Sequence, residues 1–217
     1  MCAKPLNAQE NNSNSPERNP CAQYDRIPKL RLRSSFGKLK YDFQHSSSQL
    51  KQMSSKKSRV LESGTFMSGL SFVDIDWSVT MSVITKTTPD CKCVVPAAVD
   101  VFIGYRNPII YISKDVQDDK CIYNVVMRHE QQHQQINVAV LEYYLPFLKK
   151  GFEEKLSILK ARPLKAGTKV DNIMDDLNFE YAEAIRPIIN RFEITLQLEQ
   201  QNLDTRENYE SESNICK

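Results

Sequence analysis

The chain has 217 residues, 41% of them hydrophobic, which suits one domain with a tail rather than two full domains. Its net charge of +2 hides an asymmetry, because residues 1–60 hold 12 Lys and Arg against 4 Asp and Glu while the remainder is acidic. No apolar run is long enough to cross a bilayer, and MCAKPLNAQENNSNSPERNP at the N-terminus lacks the apolar stretch of a signal peptide.

Residues 1–20 are rich in Asn, Ser, Pro and Glu and read as disordered. Leu30-Arg31-Leu32-Arg33 alternates and predicts a short strand, and SSSQLKQMSSKKS at 46–58 reads as a linker. Residues 1–60 are therefore expected to be a basic, mostly disordered arm and linker that could touch an anionic surface. It carries no clear nucleic-acid motif.

The folded part is expected over 61–217. Val73, Ile75, Trp77, Val79, Met81 and Val83 alternate with polar residues, as a half-buried antiparallel strand does. Pro89-Asp90 ends it. Val99, Val101, Ile103 and Tyr105 alternate again, Asn107-Pro108 predicts a turn, and Ile109 to Ser113 predicts a further short strand. The expected product is a small antiparallel sheet.

Asp118 or Asp119 can cap a helix that begins near Lys120. Ile122, Val126, His129, His133, Ile136, Val140 and Tyr144 fall on one stripe of it. Pro146 is expected to kink or divide this helix, with the helical pattern resuming to about Arg162. Pro163 and Gly167 mark a turn, and a second long helix is expected from about Asp171 to Leu203. The fold class is α+β: the small antiparallel sheet, then a long antiparallel helical hairpin.

His129-Glu130-Gln131-Gln132-His133 is an HExxH sequence. Residues four apart share a helix face, so two imidazoles can meet one Zn2+ ion while Glu130 stands ready to take a proton from water on the metal. Only three histidines exist, and two of them lie here on the apolar stripe. The bland alternative is a core helix with two satisfied histidines.

A catalytic zinc usually has a third protein ligand. His45 lies in the expected linker, so a carboxylate is expected. A hairpin turning near residue 166 sets His133 opposite residue 199 and His129 opposite about residue 203. Glu199 is the one charged residue in the apolar stripe of its helix, so Glu199 is the expected ligand, with Asp204 as the alternative. Ile110 and Tyr111 are expected on an edge strand that could pair with an extended substrate peptide. Tyr105, Tyr111 and Tyr181 are candidates to stabilise an oxyanion.

The six cysteines form no CxxC pair and read as disulfide partners, which favours an oxidising compartment. Cys2 or Cys21 could also cap the metal from a pro-segment.

With DIDW and CKC in the β region, HEQQH, and Gln200-Gln201-Asn202-Leu203-Asp204-Thr205 further on, residues 68–210 resemble a bacterial family of predicted secreted zinc-dependent proteases with an HEQxH motif. Gln134 stands where that family prefers Phe, Leu203 where it has Tyr, and its final His-Gly is absent. The resemblance implies a compact zincin-like fold, a periplasmic or secreted location, and weight on Asp204. The functional expectation is a zinc-dependent peptidase acting on proteins or peptides, with Glu130 as general base. The competing expectation is a non-catalytic helical binding module stabilised by its metal.

Overall fold

A computed structural model of the chain describes residues 19–55, 68–89 and 91–217. Helices and strands are mixed, so the α+β class holds. The order is β1 (Lys29–Ser35), β2 (Lys40–Asp42), α1 (Ser47–Ser55), β3 (Gly69–Thr87), β4 (Lys92–Ile112), α2 (Lys120–Lys155), β5 (Arg162–Pro163), α3 (Val170–Leu203) and α4 (Arg206–Ser213).

The sheet has five strands, all of the others pairing with β4. It is not the expected antiparallel sheet. β2 runs parallel to β4, with Tyr41 opposite Ile110, whereas β5 runs antiparallel to it, with Cys93 opposite Pro163. The hydrophobic pattern reports which face of a strand is buried and is blind to the direction of its neighbour. β4 is central, and most of its residues are buried, as expected of a strand covered on both faces.

Asn107-Pro108 does not end this strand. Asn107 takes the left-handed conformation, with φ 51°, and β4 continues to Ile112. Gly37 has φ 69°, and a Cβ there would lie 2.6 Å from Pro108 Cδ. Only glycine meets both demands, so the β1–β2 connection can hug β4 at that point.

The Leu30–Arg33 strand is present within β1. The expected linker is not one: α1 buries Leu50 completely, and its Ser47 Oγ donates to Ser113 Oγ at 2.9 Å. Much of the expected arm is thus folded, and its residues 1–18 lie outside the described residues. Residues 56–58 of the expected linker lie there too.

The helices begin where the sequence places them. Asp119 Oδ1 accepts the backbone N–H groups of Cys121 and Ile122, so Asp119 caps α2. α2 continues through Pro146 and α3 through Pro187, so Pro146 does not divide its helix. α2 ends at Lys155 rather than Arg162.

The chain forms two compact units. The described part of the first takes residues 19–33, 77–89, 91–102 and 147–189. Its small core holds Cys21, Cys91, Cys93, Val95 and Ala161, with a disulfide between Cys21 and Cys93. Leu148, Phe152, Leu177, Tyr181, Ile185 and Ile189 are completely buried on its helical segments. Tyr181 Oη donates to Phe152 O at 2.7 Å, which satisfies the one polar atom of that ring.

The described part of the second unit takes residues 34–55, 68–76, 103–146 and 190–217. Phe43, Tyr123, Val126 and Met127 pack on Ile110, Ile112 and Val116 there. This contact lays the first turns of α2 against β4. Cys121, in the first turn of α2, is disulfide-bonded to Cys216.

Candidate metal centre

His129, Glu130 and His133 lie in the second unit, on the buried face of α2, each less than a tenth exposed. Burying two imidazoles in one helical turn requires partners for four ring nitrogens. The outward nitrogens are supplied first. Gln200 Nε2 donates to His133 O at 3.0 Å and to Asn137 Oδ1 at 2.8 Å. Both of its amide protons are then used, so Gln200 Oε1 is left to face His133 Nδ1 in a close contact. Asn137 is fixed in turn, because its Nδ2 donates to Gln134 Oε1 at 3.2 Å, and Gln134 Nε2 donates to Ser71 Oγ at 2.6 Å. On the other ring, Glu212 Oε2 lies 3.0 Å from His129 Nδ1. That proximity lacks hydrogen-bond alignment, since Nδ1 has no such partner. It is an ion contact.

The inward nitrogens converge. His129 Nε2 is 3.2 Å and His133 Nε2 3.0 Å from the same atom, Asp204 Oδ1. If each Nδ1 carries its proton toward Glu212 or Gln200, each Nε2 presents a lone pair, and Asp204 Oδ1 adds another. Three lone pairs aimed at one another repel unless a proton or a cation sits among them. The spacing fits a metal: two ligands about 2.0–2.1 Å from zinc in a tetrahedron stand roughly 3.3 Å apart. All three donor atoms lie within 4.8 Å of one another.

Charge follows the same geometry. Burial opposes protonation of His129, but the hydrogen bond to Asp204 and the charges of Glu130, Glu212 and Asp204 outweigh it and raise its pKa. Burial likewise opposes ionisation of Asp204, yet the hydrogen bonds from His129 and His133, His133's charge and the Tyr209 hydroxyl hold its carboxyl far below the usual range. The carboxylates around the two imidazoles thus favour positive charge among them. Asp204 keeps 32% of its side chain exposed, so the centre opens to solvent.

The register differs from expectation by one residue. Gln200, not Glu199, meets His133, and Asp204 meets His129. One residue turns a helix by about 100°, so Glu199 points to solvent and lies outside the cluster. Asp204 sits just past the last residue of α3, its backbone N–H still donating to Gln200 O at 3.3 Å.

Glu130 packs against the start of β3. A Cβ on Gly69 would stand 2.5 Å from Glu130 Oε1. Glycine at 69 is what leaves room for the carboxylate beside the histidines.

Ile110 and Tyr111 are not on an edge. Ile110 is completely buried, and both residues are paired with β2. Tyr111 instead sets its ring edge against His45, 5.5 Å between centroids. Tyr105 Oη is committed to Asn137 O at 2.8 Å and Tyr181 to Phe152 O, so neither hydroxyl is free for an oxyanion. Tyr209 of α4 occupies that neighbourhood. Its Oη donates to Asp204 Oδ1 at 2.7 Å, and its ring lies 5.0 Å from that of His129. Burial and the charge of Asp204 push its pKa up, so it remains a neutral donor. Nothing in the helix periodicity marks Tyr209 or Glu212, because they follow a break in α3.

Cys21, Cys91 and Cys93 also bring their sulfurs together. All three are in disulfides, which removes the thiolates a metal would need. Cys21 is therefore not a cap for the centre.

No family model, no curated protein and no solved structure matches the chain.

Proposed function

We propose that the chain is a zinc-dependent peptidase whose ligands are His129, His133 and Asp204. The observation that carries this reading is the convergence of two Nε2 atoms on one Asp204 oxygen while Gln200 and Glu212 engage the opposite ring nitrogens. A zinc ion held there would acidify water and polarise a carbonyl. Glu130, one residue from His129 and buried, takes the proton from the attacking water and passes it to the leaving amine. The Tyr209 hydroxyl donates to Asp204 and so steadies that carboxylate. Among the described residues β3 pairs only with β4. Its far edge, which begins at Gly69 beside Glu130, can therefore take an extended peptide.

A structural zinc site is closed by four protein ligands. The described group offers three, which favours catalysis over a metal-stabilised binding module. The disulfides Cys21–Cys93 and Cys121–Cys216 support an extracytoplasmic site of action. No described helix is long and apolar enough to cross a membrane.

The test is elemental analysis of purified wild type beside His133→Ala, Asp204→Ala and Glu199→Ala. About one zinc per chain, lost in the first two variants and kept in the third, is expected. A folded wild type without metal, purified free of chelator, sinks the peptidase.

A further inference from the structure

We propose that Arg206–Cys216 is a clasp on the metal centre: Glu212 and Tyr209 are positioning residues for His129 and Asp204, and the Cys121–Cys216 disulfide fastens them. This rests on the metal-centre reading above and adds to it how the centre is held and released.

The segment has little else to hold it. α4 has eight residues and buries none of them, and the short turn that follows buries none either. Hydrophobic burial, the usual anchor of a terminal helix, is therefore small. What α4 does touch is the centre. Tyr209 Oη donates to Asp204 Oδ1 at 2.7 Å and its ring lies over His129 at 5.0 Å. Glu212 Oε2 stands 3.0 Å from His129 Nδ1. Tyr209 and Glu212 are three residues apart, so one helical face carries both. The entry to α4 is set locally, with Thr205 Oγ1 accepting the Asn208 N–H at 3.2 Å and Asn208 Nδ2 donating to Leu203 O at 3.0 Å. A few polar contacts at an open surface hold weakly. The covalent bond to Cys121 closes a loop of 95 residues and ties the clasp to the helix that carries HEQQH.

The two defined disulfides differ in access. Cys21 and Cys93 are completely buried, whereas Cys121 is exposed and Cys216 half-buried. Thiol–disulfide exchange requires an attacking thiolate to reach sulfur. A dithiol reductant should therefore open Cys121–Cys216 before Cys21–Cys93. Its first thiolate attacks one sulfur and expels the other cysteine as a thiolate. Its second thiolate then resolves the mixed disulfide, so the reductant leaves oxidised and two electrons stay on Cys121 and Cys216. Freed, α4 would withdraw Glu212 from His129 and Tyr209 from Asp204. Outer partners of metal ligands are worth about 10–100-fold in metal affinity.

The experiment is zinc competition against a chromophoric chelator on the full chain: wild type, Cys121→Ser/Cys216→Ser, Glu212→Ala, Glu212→Gln and Tyr209→Phe. Zinc affinity should fall about 10–100-fold in the serine pair and in Glu212→Ala. Glu212→Gln, which keeps an oxygen beside Nδ1 without the charge of the ion contact, should recover only part of that loss, a rescue that a purely structural role would not give. Glu212→Ala leaves the disulfide intact, so it decides the matter if the serine pair fails to fold. Wild-type affinity in Glu212→Ala, or in a folded serine pair, overturns the clasp while leaving the metal centre standing. A wild type that binds no zinc overturns the centre and the clasp with it.

Discussion

α2 and α3 each contribute a segment to both units, and only one of the two contributions adds a buried polar cluster to its apolar residues. In the first unit the helices bury Leu148, Phe152, Leu177, Ile185 and Ile189, with one tyrosine hydroxyl satisfied by a carbonyl. In the second they bury Leu141, Phe192 and Leu196 but also His129, Glu130, His133 and Asn137, and Gln200 and Asp204 close the network. The apolar segment stabilises simply by leaving water. The polar side chains of the second exchange water contacts for protein contacts, each worth only about 0.5–1.5 kcal/mol net. Folding gains little from that arrangement. The difference teaches that one pair of helices can be divided between holding the fold and presenting a charged centre, and substitutions should separate the two roles.

The largest separation is expected at Glu130. Glu130→Gln should lower peptide cleavage about 10²–10⁴-fold while zinc content, read by elemental analysis, stays at wild type. A cleavage rate that does not change would remove Glu130 from the chemistry.

Phe152→Ala is the counterpart in the first unit. It should lower the free energy of unfolding by about 3–5 kcal/mol in denaturant titration, with the zinc content of the folded protein unaltered. If the folded variant lost its zinc, the division of roles drawn here would fail.

Gly69→Ala sharpens the comparison within the second unit. The added methyl would fall 2.5 Å from Glu130 Oε1. Displacing a reacting group by about 1 Å can cost about 10²-fold in rate, so cleavage should drop while zinc stays bound. A variant that cleaves normally would show that Glu130 has room to spare.

The smallest effect is expected at Glu199, on the exposed face of the same helix. Glu199→Ala should shift unfolding by no more than about 0.5 kcal/mol and leave zinc in place. Loss of zinc would restore it as the ligand in place of Asp204.

Residues 120 and 203 mark the helix bounds that are legible in the sequence, because Asp119 offers a cap and the apolar stripes repeat at helical spacing. HEQQH is legible for the same reason, since a motif within one helical turn needs no tertiary information. Leu30–Arg33 shows its alternation openly. The helix at Ser47–Ser55 does not, because its serines give a weak pattern and its place depends on Ser113 and Asp115. The parallel pairing of β2 with β4 is likewise hidden, because strand direction leaves no mark on hydrophobic periodicity.

The sequence by itself determined which residues can coordinate a metal, and that His129 and His133 share one face. Only the tertiary structure decided that Asp204 rather than Glu199 joins them. Register between distant helix segments is set by packing over many turns, and a shift of one residue swings a side chain by about 100°. It also decided that Tyr209 and Glu212 reach His129, since they arrive on a separate short helix followed by Cys216, which is bonded to Cys121 of α2.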